Sequence, residues 1–418
     1  MLDARPVCGT RVPPATQHAN TREMIAIHGR VSRYMVAAAA LALCTPRALQ
    51  AQYPTGSLRG RIQVEFRTSD IHTQNADGTD AALNTNLNNE FFLRRAYVEF
   101  AAQLAANIRG KLEVNATRRA VNLEDAYIDV GLGRFLTWRA GQEKKPIERQ
   151  EINSSSTYLT VERGAQIAGL KTPNLVSQNN FLTAVGFTAH DVGTSLEAHT
   201  AEGARIPVSF RLGVWNGQGK DLSEVNNAKT FGARLVVNPI KDLSLGAAWV
   251  SHDDPISVGG KVAVDSAGRS TGFGLDAEWG NFDRGLHVMA DAAFGRQSRV
   301  GALTPAIAGL RATPVPAGTD FEPRFASFHV VGAFKFLLPE NQVATAIVPV
   351  FRWDHTAPDT DNSGISSTLL TPGLNVEFSP RTWLMLNYDV VSPGSALDLG
   401  RGTGESVHSF KTMMRIWF

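Results

Sequence analysis

Arg59, Arg61 and Arg67 recur at odd positions of one alternating segment, and Arg95, Arg109 and Lys111 fall on the matching face of the next two. Successive side chains of an extended chain point to opposite faces, so each set projects from one side of a strand. A second basic group, Lys144, Lys145, Arg149 and Arg163, is spread through a stretch from Glu143 to Gly164 that is dense in charge and hydroxyls and has no strand pattern. Such residues suit the passage of anions. A hydrated anion entering a narrow channel loses part of its water shell, and ranks of guanidinium and ammonium groups replace that solvation while releasing the ion readily. Arginine offers phosphate a planar fork of donors, whereas lysine acts as a compact point charge. The same face also carries Glu65, Glu99, Glu113, Asp125 and Asp129, so the other use open to these bases is to pair along the wall.

Catalytic patterns fall short. Gly217-Gln218-Gly219-Lys220 lacks the earlier glycine of a phosphate-binding loop and reads as an external turn, and the Gly272-Phe273-Gly274 run sits inside an alternating strand. His190-Asp191 is the nearest approach to a hydrolase pair but has no identifiable serine partner, and His252-Asp253-Asp254 is a weak cation candidate on a loop. No metal site or cofactor is expected.

The elements that must hold the basic residues are strands. Leu58 to Phe66, Ile108 to Ala116, Phe231 to Val237, Leu286 to Ala292, Phe328 to Leu338 and Leu384 to Val390 all alternate apolar with polar side chains. The last nine residues do the same: Phe410, Met414, Ile416 and Phe418 share one face, Lys411 and Arg415 the other. No stretch is long enough for a membrane helix, and alternation of this kind over a whole chain is the signature of a transmembrane β-barrel, greasy side to lipid and charged side to water. At roughly 22 residues per strand and connection, the count is on the order of 16 strands, wide enough for an aqueous channel. Trp138, Trp249, Trp279 and Tyr388 fall on the lipid side.

The N-terminus fits export. Met35 to Leu43 forms an apolar core behind Arg30 and Arg33 and ahead of small residues around Ala48 and Ala51, the order of a secretory signal with cleavage after Ala51. Residues 1–51 are therefore expected to be removed, with Met24 or Met35 a possible true start, and 52–418 to form one barrel domain. Both cysteines, Cys8 and Cys44, lie in the leader, which suits passage through an oxidising compartment. Of 41 basic and 39 acidic residues the leader carries six and two, so the mature chain is close to neutral and its net charge identifies no partner, nucleic acid included.

Connections fall into two classes. Tight turns at 105–107, 131–133 and 379–381 alternate with long stretches at 69–89, 251–270, 296–324, 355–367 and 392–405. Strands near 57–68, 91–102, 107–117, 122–132 and 134–142 then run up, down, up, down, up. The segment after Gln142 becomes the third external loop, expected to fold inward and narrow the lumen. Glu143, Glu148 and Glu151, interleaved with its basic residues, are expected to offset its charge.

At this point the residues resemble a family. Gly141-Gln142-Glu143-Lys144-Lys145-Pro146, followed by Ser154-Ser155, Leu159-Thr160 and Glu162-Arg163, is similar to a segment of the phosphate-selective porin O and P family. Arg94 to Phe100, Leu123 to Ile128, Gly213 to Gly219 and Leu384 to Tyr388 fit in the same order. The resemblance implies a 16-stranded outer-membrane porin of a Gram-negative bacterium, a homotrimer passing small anions such as phosphate or other hydrophilic solutes. Arg59, Arg61, Arg67, Arg95, Arg109, Lys111, Lys144, Lys145, Arg149 and Arg163 are then the expected pore-lining, anion-binding residues. The alternative is a barrel with another task, a surface hydrolase or an adhesion or structural anchor.

Overall fold

The computed structural model describes residues 54–418 apart from 72–88, 118–119, 221, 223, 225–226, 259–260, 314, 317–319 and 341. The expected leader, residues 1–51, and most of the first long connection lie outside the described residues. Sixteen strands follow one another: β1 (Thr55–Ser69), β2 (Asn89–Ala105), β3 (Ile108–Ala116), β4 (Val121–Gly131), β5 (Leu136–Lys144), β6 (His190–His199), β7 (Val208–Trp215) and β8 (Thr230–Ile240), then β9 (Leu243–Val258), β10 (Lys261–Gly280), β11 (Gly285–Arg296), β12 (Arg324–Leu337), β13 (Ala346–Ala357), β14 (Ser367–Ser379), β15 (Thr382–Pro393) and β16 (Val407–Trp417). Each pairs antiparallel with its neighbours and β1 pairs with β16, closing the sheet. Closure leaves no edge strand with unpaired backbone groups, the condition for a sheet in lipid. At the seam the Gly60 and Phe418 backbones exchange two hydrogen bonds of 2.9 and 3.0 Å.

Alternation sorts the side chains as expected. Phe410, Met414 and Ile416 face outward and are exposed, while Lys411, Met413 and Arg415 between them are buried inside. Trp138, Trp249, Trp279 and Tyr388 are likewise on the outer surface. Two irregularities in register break the alternation usefully. Gln63 pairs with Arg95 and Val64 with Leu93, so Arg94 is the extra residue of a bulge and both arginines turn inward. Leu112 pairs with Ala126 and Val114 with Leu123, which sets Glu124 and Asp125 together opposite Glu113.

One long connection differs from the sequence reading: residues 251–270 are not a loop, because β9 and β10 run through them as an extended hairpin. The connection after β5 spans 145–189 and contains two short helices, α1 (Arg149–Ile152) and α2 (Gln178–Ala184). Ser177 starts α2 by accepting a bond from the Asn180 amide, a serine cap for the orphan donors of the first turn. Phe181, Leu182, Val185 and Phe187 pack against inward residues of the wall, including Val250, Phe325, Leu369 and Val391. Leu159 packs with Met289, Val331, Val348 and Val350, and Val161 with Trp383, Met385 and Met413. The lumen is therefore not polar throughout. An inserted loop brings its own apolar side chains, and the inward faces of β9 to β16 supply partners for them, so this side of the barrel is a packed core.

Candidate functional site

The inserted loop is held largely through its backbone. Arg415 is fully buried, lies between the rings of Trp383 and Trp417 (4.8 and 5.1 Å) and donates from Nη1 to the carbonyls of Tyr158 (2.9 Å) and Ser155 (3.3 Å). Gln63 donates to the same Ser155 carbonyl, Asn375 to the Leu159 carbonyl at 2.8 Å, and the Val161 amide donates to Asn387 at 2.6 Å. Arg352 donates to the Glu162 carbonyl (3.0 Å) while pairing with Asp354, which also meets His329. The Glu162 carboxylate is clasped by Arg94 and Arg95. Across the barrel, the Arg149 guanidinium meets Asp276 (2.5 Å) and Glu278 (2.8 Å) on β10, and its amide donates to Asp291 on β11. The loop thus touches inward side chains on both sides of the lumen.

Between this loop and the wall of β1 to β7 lies a cavity of about 860 Å³. Of the ten residues read from sequence it is lined by Arg59, Arg61, Arg95, Lys111, Lys144 and Arg163, joined by Arg94, Arg139, Arg211 and Lys220. Four expected residues are not on it. Arg67 lies toward the long-loop end, paired with Glu90 at 2.6 Å. Arg109 sits by the short turn at 106–107, mostly exposed and 3.9 Å from Asp129. Lys145 is buried behind the loop against Asp191 (3.2 Å), and Arg149 serves the anchor already described. Parity identifies the face of a strand but not the depth along it, nor which way a loop side chain turns.

Ten of the lining side chains are arginine or lysine and seven are carboxylates. Much of the charge is paired on the wall itself. Lys111 lies among Glu99 (3.1 Å), Glu113 (3.4 Å) and Asp125 (2.8 Å). Arg139 forks onto Asp129 at 2.6 and 2.9 Å with its guanidinium over the Tyr127 ring. Glu143 does not offset the loop as expected: it is buried and accepts from Ser195 and Trp215 while pairing with Arg139 and Arg211 on the wall. Glu148 is also removed from the account. Burial, reinforced by Asp291, pushes its carboxyl well above the usual range, and it accepts a bond from Asn179 at 3.0 Å. Glu151 is the one of the three that pairs with the loop's own bases. Burial would raise it, but Arg163 at 2.8 Å and then Lys144 outweigh that and hold it at about 2. Lys144 and Arg163 therefore face one ionised loop carboxylate.

His190 lies between Glu124 (3.5 Å) and Asp125 (3.1 Å), and Asp191 meets Lys145 and the Gly217 amide, so neither is aligned with a serine. His252 bonds Thr230, and Asp253 meets Arg269. Among the described residues no group of three or more His, Cys, Asp or Glu is arranged to hold a metal ion.

A model of the family described as phosphate-selective porin O and P matches residues 62–278. No curated protein matches the chain. Among solved structures, an anion-selective porin from Comamonas acidovorans superposes with a TM-score of 0.56 at 13% identity, covering 88% of this chain and 100% of its own. The outer membrane channel DcaP of Acinetobacter baumannii gives 0.54 at 12%, covering 90% and 100%, and OmpT of Vibrio cholerae in a trimer form gives 0.52 at 12%, covering 87% and 99%. At these identities the likeness is one of fold.

Proposed function

The chain belongs to the phosphate-selective porin O and P family, and from that premise we propose that it is an outer-membrane diffusion channel for small hydrophilic solutes with a preference for anions. The observation that carries the reading is the cavity between loop and wall, where bases outnumber carboxylates and Lys144 and Arg163 share a single ionised partner on the loop. A charge of this kind replaces lost hydration without trapping the ion. Arg59, Arg61, Arg95, Lys111, Lys144 and Arg163 are the residues of the original set proposed to meet permeant ions. The anion selectivity of the Comamonas neighbour and the trimer form of the Vibrio one support anion preference and a homotrimer here.

Residues 1–51 are read as the export signal and 52–418 as the barrel inserted into the outer membrane. The experiment is a planar bilayer holding the purified protein in a chloride gradient. Discrete conductance steps with an anion-side reversal potential support the reading. A cation-side potential overturns the preference, and a silent bilayer with ester or peptide turnover favours the surface-hydrolase alternative.

A further inference from the structure

On the outer face of the barrel, Arg296 ends β11 and Arg324 begins β12, and the two are directly paired across the strands. Both have outward parity and are exposed, whereas Phe325 beside Arg324 is buried inside. Arg269 stands on β10 one outward position beyond Thr271, which pairs with Arg296, so three adjacent strands each present a guanidinium at their long-loop end. Like charges directly opposite each other destabilise a strand pair, their β-carbons being about 5 Å apart. The nearby carboxylates offset this only in part. Asp253 meets Arg269 (2.6 Å), Glu322 meets Arg296 (3.2 Å) from an exposed position, and Asp320 meets Arg299 on the following connection (3.4 Å). Arg324 has no ion pair among the described residues. Further along the same outward faces, in the membrane direction, Phe273, Phe294 and Phe328 are exposed, with Phe273 and Phe294 paired across β10 and β11.

We propose that this row of arginines seats an outer-leaflet lipid whose headgroup carries a phosphate monoester. The phosphate bridges Arg296 and Arg324 through their planar donor forks, Arg269 lies on its flank, and the acyl chains cover Phe273, Phe294 and Phe328. A monoester carries close to two negative charges at neutral pH and so answers both opposed guanidiniums. A phosphodiester, with one charge, answers one. The apolar strip beneath the bases is what suits a lipid over a free ion. This goes beyond the channel reading and rests only on a barrel that sits in a membrane with its long connections outside.

The test is native mass spectrometry of the purified full barrel in mild detergent, with diphosphoryl lipid A, whose phosphates are monoesters, or phosphatidylglycerol, a diester, added at equal concentration. Lipid A is expected to be retained about fivefold more tightly than phosphatidylglycerol, the weight of one further charge pair at contact distance in water. Arg324→Gln is expected to weaken lipid A about fivefold and Arg296→Gln/Arg324→Gln about thirtyfold, one and two such pairs. Arg205→Gln, an exposed arginine at the 200–207 turn, is expected to leave retention at the wild-type level. Chloride conductance steps of wild-type size show that each variant is assembled, and the single variant carries the test where the double one is not. Equal retention of the two lipids, retention of lipid A unchanged in the variants, or its displacement by inorganic phosphate at the same concentration overturns the inference. A change of oligomeric mass in place of lost lipid assigns the face to a second copy and also overturns it. Each of these leaves the porin reading intact, which only a silent bilayer would remove.

Discussion

The Arg415 guanidinium on the last strand donates to the carbonyl of Tyr158 in the inserted loop at 2.9 Å, from between two indole rings. This residue has the inward parity and charge expected of a pore-lining arginine, yet it fixes the loop and has no exposure to the lumen.

Arg415→Ala removes two bonds from a charged donor to the loop backbone and the filling between the indoles. Such bonds contribute on the order of 1.5–3 kcal/mol each. The loop is then expected to leave the wall part of the time, raising mean single-channel conductance and adding flicker. Single-channel recording at fixed salt checks this, and Arg415→Lys is expected to give a milder form because an ammonium lacks the planar fork and stacks less well. A trace indistinguishable from wild type means the apolar contacts of Leu159 and Val161 hold the loop alone.

Lys144→Glu replaces one of two loop cations with a carboxylate beside Glu151. Reversing a charge where ions pass changes the anion-to-cation permeability ratio toward cations by on the order of thirtyfold, taking two unit-charge steps of about 1 kcal/mol each near contact in water. Arg109→Gln, out at the short-turn rim, is expected to leave the ratio near wild type. Reversal potentials for both variants in the same gradient separate a local filter at the loop from a diffuse effect of the whole wall.

Strand positions and inward faces were legible because lipid on one side and water or loop on the other force a period of two, and five strand spans in the first third of the chain were placed within a few residues. What escaped has physical causes. Arg94 is hidden by a bulge, which no alternation rule locates. Arg352 and Arg415 are on the readable face, but only contact with a loop more than a hundred residues away separates a tether from a filter. Inward Met289, Val331 and Val350 look lipid-like in sequence, because an apolar loop inside a barrel is as good a partner as a membrane. Glu143 and Lys144 are adjacent, yet strand geometry sends one to the wall network and the other to the loop.

Gly141 has φ of +135°, and a β-carbon there would lie 2.2 Å from the Ala126 carbonyl oxygen and 2.6 Å from the Tyr127 α-carbon. Both obstacles are backbone of the neighbouring strand, so no rotamer change relieves them. Gly141→Ala carries about 1–3 kcal/mol of backbone strain alone and displaces the strand just before it delivers Lys144 to the cavity. The expected result is a lower temperature for loss of the compact, heat-modifiable band in gel electrophoresis. Gly133→Ala, in a turn with open space around the new methyl, is the matched control.

Glu148 gives the loop a pH dependence of definite sign. Its carboxyl is raised by burial and by Asp291, so the docked loop holds the proton more tightly than a loop released into water. A group of this kind contributes docking stability that is complete below the ordinary carboxyl range and is lost as pH rises through its raised value. Glu151 has the opposite sign: its ion pairs with Arg163 and Lys144 are complete above the ordinary range and fail only as pH falls through about 2. The Glu148 contribution therefore acts on the alkaline side, toward growing flicker and a falling unfolding temperature at high pH. Glu148→Gln keeps an acceptor for Asn179 and cannot ionise, so it is expected to flatten that alkaline slope while leaving the acid side unchanged. Conductance noise and heat resistance measured from pH 5 to 10 on wild type and variant decide it: parallel slopes would place the titrating group elsewhere in the loop.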